Sequence, residues 1–525
     1  APLPLESPLS VKALAGAASA VGSGTGVAKE AAPLMLNVRN AVADSCLAVL
    51  ASAPSATPSW APPHPPAEPP SSPPAGHPPG RPASAARRPP SARRVADCGR
   101  GGCCLPTGPT YARGGEGMDS PRGRISLMGV GLEGEPMTPA MVEHFDACLG
   151  CMACVTACPS GVQYDKLIEA TRAQVERRFE RPKADRALRG AIFAIFPHPR
   201  RLRLMRGPLR LHQVSGLSRI LRKSGLLQRI SPTLAAMEAL APTIGRAERV
   251  PERTHAQGER RGTVGMLLGC VQREFFPGVN AATARVLAAE GFDVIAPSVQ
   301  GCCGALSAHN GRESEAQGFA RALIDQFERA GVDAVVVNSA GCGSAMKNYA
   351  DLLAGDPVYA ERAKRFVDEV RDISEFLYER GPVAPRHPLP VTIAYHDACH
   401  LGHAQGIRAQ PRELLRGIPG LHLREIADAD LCCGSAGIYN VLNPVAAREL
   451  GDRKAANVLR TKAKLLVTAN PGCLMQVASS VERVGGRIAL AHTVEVLDAS
   501  IRGLPLESLG VSLTPTPPRS IPSAN

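Results

Sequence analysis

From about residue 260 onward, short apolar runs alternate with stretches whose apolar positions recur at helical spacing. TVGMLLGC ends at Cys270, FDVIAP leads to Cys302 and DAVVVNSAGC ends at Cys342. Farther along, VTIAYHDAC ends at Cys399 and KLLVTANPGC at Cys473. Compact Val- and Ile-rich runs between helical segments predict the buried strands of α/β units. Open α/β sheets gather ligands at the carboxyl ends of their strands, so thiols far apart in sequence are expected at one sheet edge. The pattern occurs twice. Cys270, Cys302 and Cys342 recur as Cys399, Cys432 and Cys473, with offsets of 129, 130 and 131 residues, and the doublets Cys302-Cys303-Gly304 and Cys432-Cys433-Gly434 match within them. Such a period predicts a duplicated α/β domain. We call the two halves, 256–385 and 386–505, the first and second CCG domains after their Cys-Cys-Gly doublets.

Upstream the pattern changes. Residues 171–255 read as a helical basic connector broken at Pro197, Pro199 and Pro208, and 96–170 hold a further set of cysteine runs. Residues 1–95 form a Pro/Ala-rich extension, and 506–525 form a second Pro-rich tail; neither composition can bury enough surface to offset ordering entropy. The Ala- and Gly-rich stretch 13–28, with one preceding lysine, matches a secretory leader weakly. No uninterrupted apolar stretch reaches the eighteen or so residues of a membrane-spanning helix. A chain of 525 residues allows about three or four domains. The fold class expected is α+β and α/β multidomain.

Charge is concentrated in one place. Residues 171–230 carry sixteen Lys or Arg against three acidic residues, an excess of +13 that equals the net charge of the whole chain. In RRLRLMRGPLRLHQVSGLSRILRKSGLLQRI the arginines interleave with Leu and Ile. That pattern suits an anionic bilayer or an acidic partner, and equally a solvated helix face over a domain core. With aromatic residues at 4%, a stacking platform for single-stranded nucleic acid is not expected.

The cysteines decide the chemistry. Cys148, Cys151, Cys154 and Cys158 form an unbroken C-x2-C-x2-C-x3-C-P run ending at Pro159. Thiolates at that spacing wrap a 4Fe-4S cluster, and in two-cluster ferredoxins the fourth crosses to the partner cluster. A ferredoxin-like iron–sulfur module is therefore expected over 96–170. Its other run keeps the frame but is broken: Cys98 and Cys104 remain, Gly101 and Gly108 occupy two ligand positions, and Cys103 is an additional thiol that could stand in. Crossing would join Cys98 and Cys104 to Cys158, and leave Cys148, Cys151 and Cys154 on the other site. One or two clusters are thus expected. Cys270, Cys302, Cys303 and Cys342, and likewise Cys399, Cys432, Cys433 and Cys473, offer each half four ligands for a further iron–sulfur cluster or for zinc. His396, His400 and His403 flank Cys399 and are read as residues that hydrogen-bond to the ligands, or as ligands or proton relays themselves, with none assigned. Cys46 stands alone. Clustered thiols of this kind point to a reducing compartment rather than to disulfides.

With these residues assembled, the chain resembles the iron–sulfur subunit of bacterial glycolate oxidase. The elements that carry the likeness are DSPRGRI at 119–125, HFDACLGCMACVTACPSGVQY at 144–164, GCCGALSAHNG at 301–311 and LCCGSAGIYN at 431–440. It runs from about Asp97 to Arg502. The resemblance implies an electron-transfer component of an oxidoreductase complex that converts glycolate to glyoxylate. In it, flavoprotein subunits perform the hydride chemistry and this chain passes electrons toward a quinone pool. Carried over residue by residue, the ferredoxin ligands are Cys98, Cys104, Cys148, Cys151, Cys154 and Cys158. Related CCG domains can end in C-x2-C, whereas Ala345 and Gln476 fill the later position here. No catalytic residue for the organic substrate is expected, and no G-x-G-x-x-G follows a predicted strand. The expected location is cytoplasmic, with a peripheral contact at the cytoplasmic face of the inner membrane. Rival readings are the corresponding subunit of a lactate or glycerol-3-phosphate dehydrogenase, a heterodisulfide-reductase-like enzyme, and a zinc-stabilised nucleic-acid-binding protein.

Overall fold

The computed structural model describes residues 89–244 and 248–509. The Pro/Ala-rich extension lies outside the described residues as far as 88, as does the tail beyond 509. Each CCG half is built on a parallel sheet. In the first half the strands are β1 (Arg253–Thr254), β2 (Gly262–Met266), β3 (Phe292–Ile295), β4 (Ala334–Val337) and β5 (Val370–Asp372), in the order β1-β3-β2-β4-β5. Only the edge strand β1 runs antiparallel, to β3. The second half has β6 (Val391–Tyr395), β7 (Leu421–Glu425), β8 (Leu465–Thr468) and β9 (Ala489–His492), in the order β7-β6-β8-β9, all parallel. Dropping β1 leaves the same order in both halves, with the first and third strands side by side at the centre.

The central strands Ala334–Val337 and Leu465–Thr468 are buried along their whole length. They are sandwiched by helices on both faces, which is why they read as continuous apolar runs rather than alternating ones. One apolar core runs through both halves. Helices Pro277–Ala289 and Thr493–Ile501 pack across the junction, where the Arg285 guanidinium grips the buried Asp498 carboxylate at 2.8 Å. Strand carboxyl ends meet there too, since the Ala340 N–H donates to the Ala469 carbonyl at 3.1 Å.

The module upstream is helical among its described residues. Helices Pro109–Gly114, Pro121–Leu132 and Pro139–Ala147 each open on proline, whose fixed φ and missing N–H suit a first turn. Ser120 and Thr138 cap the latter two through their hydroxyls. Helix Tyr164–Arg178 then carries the chain to the connector, where helices Lys183–Ile195, Pro199–Val214 and Pro232–Leu240 follow. The break expected at Pro197 and Pro199 is present, but helix Pro199–Val214 continues through Pro208. Leu204, whose carbonyl loses its partner to that proline, is exposed, so water can satisfy the group.

Candidate functional site

The unbroken run lies where helix Pro139–Ala147 ends and a tight loop begins. Gly150 and Met152 both take left-handed backbone, at φ 66° and 63°, which folds the loop back on itself. Cys148, Cys151 and Cys154 are buried and within electrostatic reach of one another. Cys158 lies instead with Cys98 and Cys104, all half-buried against the module core. Crossing in a two-cluster ferredoxin would produce this grouping. Cys103 is half-buried.

The glycines in the broken run are not demanded by the backbone. A Cβ on Gly101 would meet nothing within 4 Å. Gly108, at φ −77°, would bring its Cβ to 3.1 Å from Pro121 Cδ.

Charge around these thiols is arranged by residues that the sequence reading gave no role. Burial pushes the Cys148 thiol up, but the Arg124 and Arg172 guanidiniums outweigh it and hold Cys148 below the usual thiol range. The Gly150 N–H at 3.4 Å and the Tyr164 hydroxyl at 3.6 Å also donate to its sulfur. Arg124 belongs to the DSPRGRI element and is 2% exposed. It donates to the His144 carbonyl at 2.6 Å and to Thr110 Oγ1 at 3.0 Å, and it pairs with Asp119 at 3.2 Å. Arg122 of the same element donates to the Arg100 carbonyl at 3.3 Å, so the element ties the broken run to the helix that delivers Cys148, and its place beside the thiols was the available clue. Cys151 and Cys154 are pushed up by burial and then by neighbouring thiolates. Buried thiols that raise one another's pKa are relieved when a cation takes up their charge. A donor set of sulfur alone, with N–H and O–H donors aimed at it, fits a 4Fe-4S cluster.

In the first CCG half, Cys270 follows β2, Cys302 and Cys303 follow β3, and Cys342 follows β4. Cys270 and Cys302 have their sulfurs 3.6 Å apart, and the Gly304 N–H donates to Cys302 at 3.3 Å. Cys302 is pushed up by its bond to Cys270, and Cys342 by Cys303 and then by burial. In the second half Cys399 and Cys432 are 3.9 Å apart, and Asn470 Nδ2 donates to Cys473 at 3.4 Å. There the shifts alternate along the row: bonding among the sulfurs holds Cys399 and Cys433 well down and pushes Cys432 and Cys473 up. All eight of these thiols, together with Cys148, line one cavity of about 490 Å³. Its roof comes from the connector, through Leu202, Met205, Leu209, Met237 and Leu240.

The module reaches both halves. Cys151 packs in one apolar cluster with Cys432, and Cys399 lies against that cluster. Thr156 Oγ1 and His403 Nδ1 are 2.7 Å apart. Against the first half, Glu169 meets His309 Nδ1 at 2.9 Å, and Gly311 at φ 79° lies so flat on the Arg172 carbonyl that a Cβ would sit 2.2 Å from it. The His400 ring lies tilted against that of His309, with centroids 4.9 Å apart, and reaches Cys399 at 3.9 Å. His396 sits with Cys433 and Cys473. Neither the meeting of Cys151 with Cys399 nor the role of the connector as a roof was legible in spacing alone.

The geometry agrees with what known proteins show. Residues 184–241 match the family model described as glycolate oxidase iron–sulfur subunit, linker region; 94–162 match a 4Fe-4S dicluster domain; and 264–347 and 393–478 match a cysteine-rich domain. The chain is 38% identical over 415 residues to a probable glycolate oxidase iron–sulfur subunit of Bacillus subtilis (strain 168), covering 77% of this chain and 93% of that protein. It is 34% identical over 412 residues to the glycolate oxidase iron–sulfur subunit of Escherichia coli (strain K12), with the same coverage of both chains. A lactate utilization protein A of Halalkalibacterium halodurans is 31% identical over 236 residues, 45% of this chain and 96% of the other. Thiol runs, connector and duplicated halves thus agree with relatives matched over nearly their whole length, and the chain belongs to the family of glycolate oxidase iron–sulfur subunits.

Proposed function

We propose that this chain is the electron-transfer subunit of a complex that oxidises glycolate to glyoxylate. Flavoprotein subunits take the hydride, and this chain relays the electrons to a quinone. Oxidising glycolate to glyoxylate releases two electrons and two protons, and a quinone that becomes a quinol accepts two of each, so the reaction closes without another reductant. A bound 4Fe-4S cluster supplies reversible one-electron storage. The chain's own residues do the rest. Cys148, Cys151 and Cys154, and on the other side Cys98, Cys104 and Cys158, hold the clusters. Arg124 and Arg172 offset thiolate charge at Cys148. The eight CCG thiols are ligand sets beyond the module.

The observation that carries this reading is the cavity, where thiols of the module and of both halves face one apolar space under the connector. Such a space accepts a flat, apolar acceptor and keeps water from the thiols. The outer surface of the connector supports a bilayer as the source of that acceptor. Leu204, Leu211, Val214 and Ile220 are 64–77% exposed on it, between the exposed Arg200, Arg201, Arg203 and Arg210. Among the described residues no helix is long and apolar enough to cross a membrane, so the contact would be peripheral.

Replacing Cys151 with Ala in the assembled complex tests the relay. Cluster absorbance and glycolate-dependent quinone reduction should disappear while glycolate still bleaches the partner flavin. Unchanged iron content in the variant contradicts the assignment. Running the assay with L-lactate beside glycolate identifies the hydroxy acid. Vesicles settle the docking face: binding should need anionic lipid and weaken as salt rises.

A further inference from the structure

The duplication aligns His396 of the second half with Leu267 of the first, at the offset of 129 that relates Cys399 to Cys270. Leu267 is buried in an apolar cluster with Cys302 and Cys303. His396 is also buried, at 2% exposure, yet neither ring nitrogen makes a hydrogen bond of normal geometry, and the group its ring does approach is the Cys433 sulfur. An imidazole left in that state is costly, and buried polar groups without partners call for an explanation. One stands beside it. A ring nitrogen of His396 and the sulfurs of Cys433 and Cys473 all lie within 4.8 Å of one another, and all three residues are buried.

Each donor reaches this point from a different element. The backbone N–H of His396 donates to the Val467 carbonyl at 2.9 Å, which fixes the residue at the end of β6 beside β8. Cys433 comes from the turn after β7, and Cys473 from the first turn of helix Pro471–Arg483. Asn470 donates to the Cys473 sulfur at 3.4 Å, a contact that favours thiolate. A second polar substitution lies nearby. Lys454, wholly buried, stands where the offset of 131 puts Leu323, and its Nζ donates to the Asp428 carbonyl at 2.6 Å. The second half thus places an imidazole and an ammonium around its thiols where the first half has leucines, and of the two only the imidazole can ligate a metal.

We infer that the second CCG half holds a mononuclear zinc-class ion on His396, Cys433 and Cys473, and that the first half, lacking the imidazole, does not. Two thiolates and one imidazole are a borderline-soft donor set that Zn²⁺ prefers, with a fourth position left for water or a further ligand. Cys433 and Cys473 also line the cavity, so the ion is reachable from it. The inference stands apart from the electron relay, because it needs no cluster in the module.

Zinc K-edge absorption of the full-length chain tests it, since iron elsewhere does not contribute at that edge. The expected result is one zinc per chain with an imidazole nitrogen among sulfur scatterers. His396→Leu, which installs the first half's residue, should weaken zinc retention against a chromophoric chelator at least about a hundredfold, more than loss of an outer-shell partner usually costs, and leave iron unchanged. An all-sulfur shell, no zinc in the wild-type chain, or unaltered retention in His396→Leu would overturn the inference. Should that variant fail to fold, the wild-type shell decides alone. Loss of iron from every sample would break the electron-transfer reading without touching this one.

Discussion

The two CCG halves share a frame and differ in what they put beside it. Strand order is the same, the thiols leave the same strand ends, and each doublet closes on a glycine with positive φ, 78° at Gly304 and 89° at Gly434. The differences fall on charged or polar side chains: His396 for Leu267, Lys454 for Leu323, and His492 for Asp372 as the cap that follows the last strand. Duplication has kept the geometry that brings thiols together and changed the electrostatics around them. The apolar frame explains folding, and the polar substitutions are where the halves acquire different chemistry.

The largest effect expected from this comparison concerns the glycines. A Cβ on Gly434 would stand 2.6 Å from the Ala447 carbonyl oxygen, against 3.1 Å between Gly304 and the Ala316 carbonyl oxygen. Both sites also charge the strain of left-handed backbone to any other residue. Gly434→Ala should cost about 4 kcal/mol and Gly304→Ala about 2 kcal/mol in urea unfolding. Equal losses would mean that the two turns are not built differently.

Next come the caps, which titrate in opposite senses. Burial raises Asp372 from its ordinary value to about 7. It lowers His492 to about 4 and raises Glu495, in the same capping box as His492, to about 7. A carboxyl raised in the folded state binds its proton more tightly there, so its contribution is full at low pH and lost as pH rises toward 7. A histidine lowered in the folded state does the reverse, and its contribution is lost as pH falls from about 6.5 toward 4. Within the second half His492 and Glu495 therefore oppose each other. Asp372→Asn keeps the acceptor for the Ser374 N–H, and its advantage over wild type should grow by about 3 kcal/mol between pH 4 and 7. His492→Asn should gain on wild type by about 3 kcal/mol in the opposite direction, as pH falls over that range. Urea unfolding of the metal-free chains across this range reads both, and slopes of the same sign would refute the assignment.

The smallest effect on stability, and the most informative on composition, lies in the module, where an intact and a broken cysteine run can also be compared. Gly101→Cys meets no steric obstacle and should raise iron per chain while leaving unfolding within about 0.5 kcal/mol. Gly108→Cys, with Pro121 at 3.1 Å, should raise iron less readily. No gain in iron from Gly101→Cys would show that the first site does not lack a ligand.

Much of this was legible in the chain alone, for physical reasons that differ by element. Apolar runs ending in cysteine revealed the strands of both halves, because parallel strands buried on two faces leave a continuous signal. Thiol offsets near 130 residues revealed the duplication, and the quoted motifs revealed the family. What escaped was contact between elements. Nothing in local spacing tells that Cys151 shares an apolar cluster with Cys432, or that Arg124 in DSPRGRI reaches the environment of Cys148. Pro208 misled because an exposed helix tolerates the lost bond. His396 was visible as a residue, but its abandonment by hydrogen-bond partners exists only in three dimensions.

Iron and acid-labile sulfide determined on anaerobically purified protein, with electron paramagnetic resonance after dithionite reduction, test the central claim most directly. About four iron and four sulfide for each cluster, and a reduced-cluster signal abolished in Cys151→Ala, are the predicted result. Brown colour absent, sulfide absent, and no signal in protein handled and reconstituted without oxygen would contradict it.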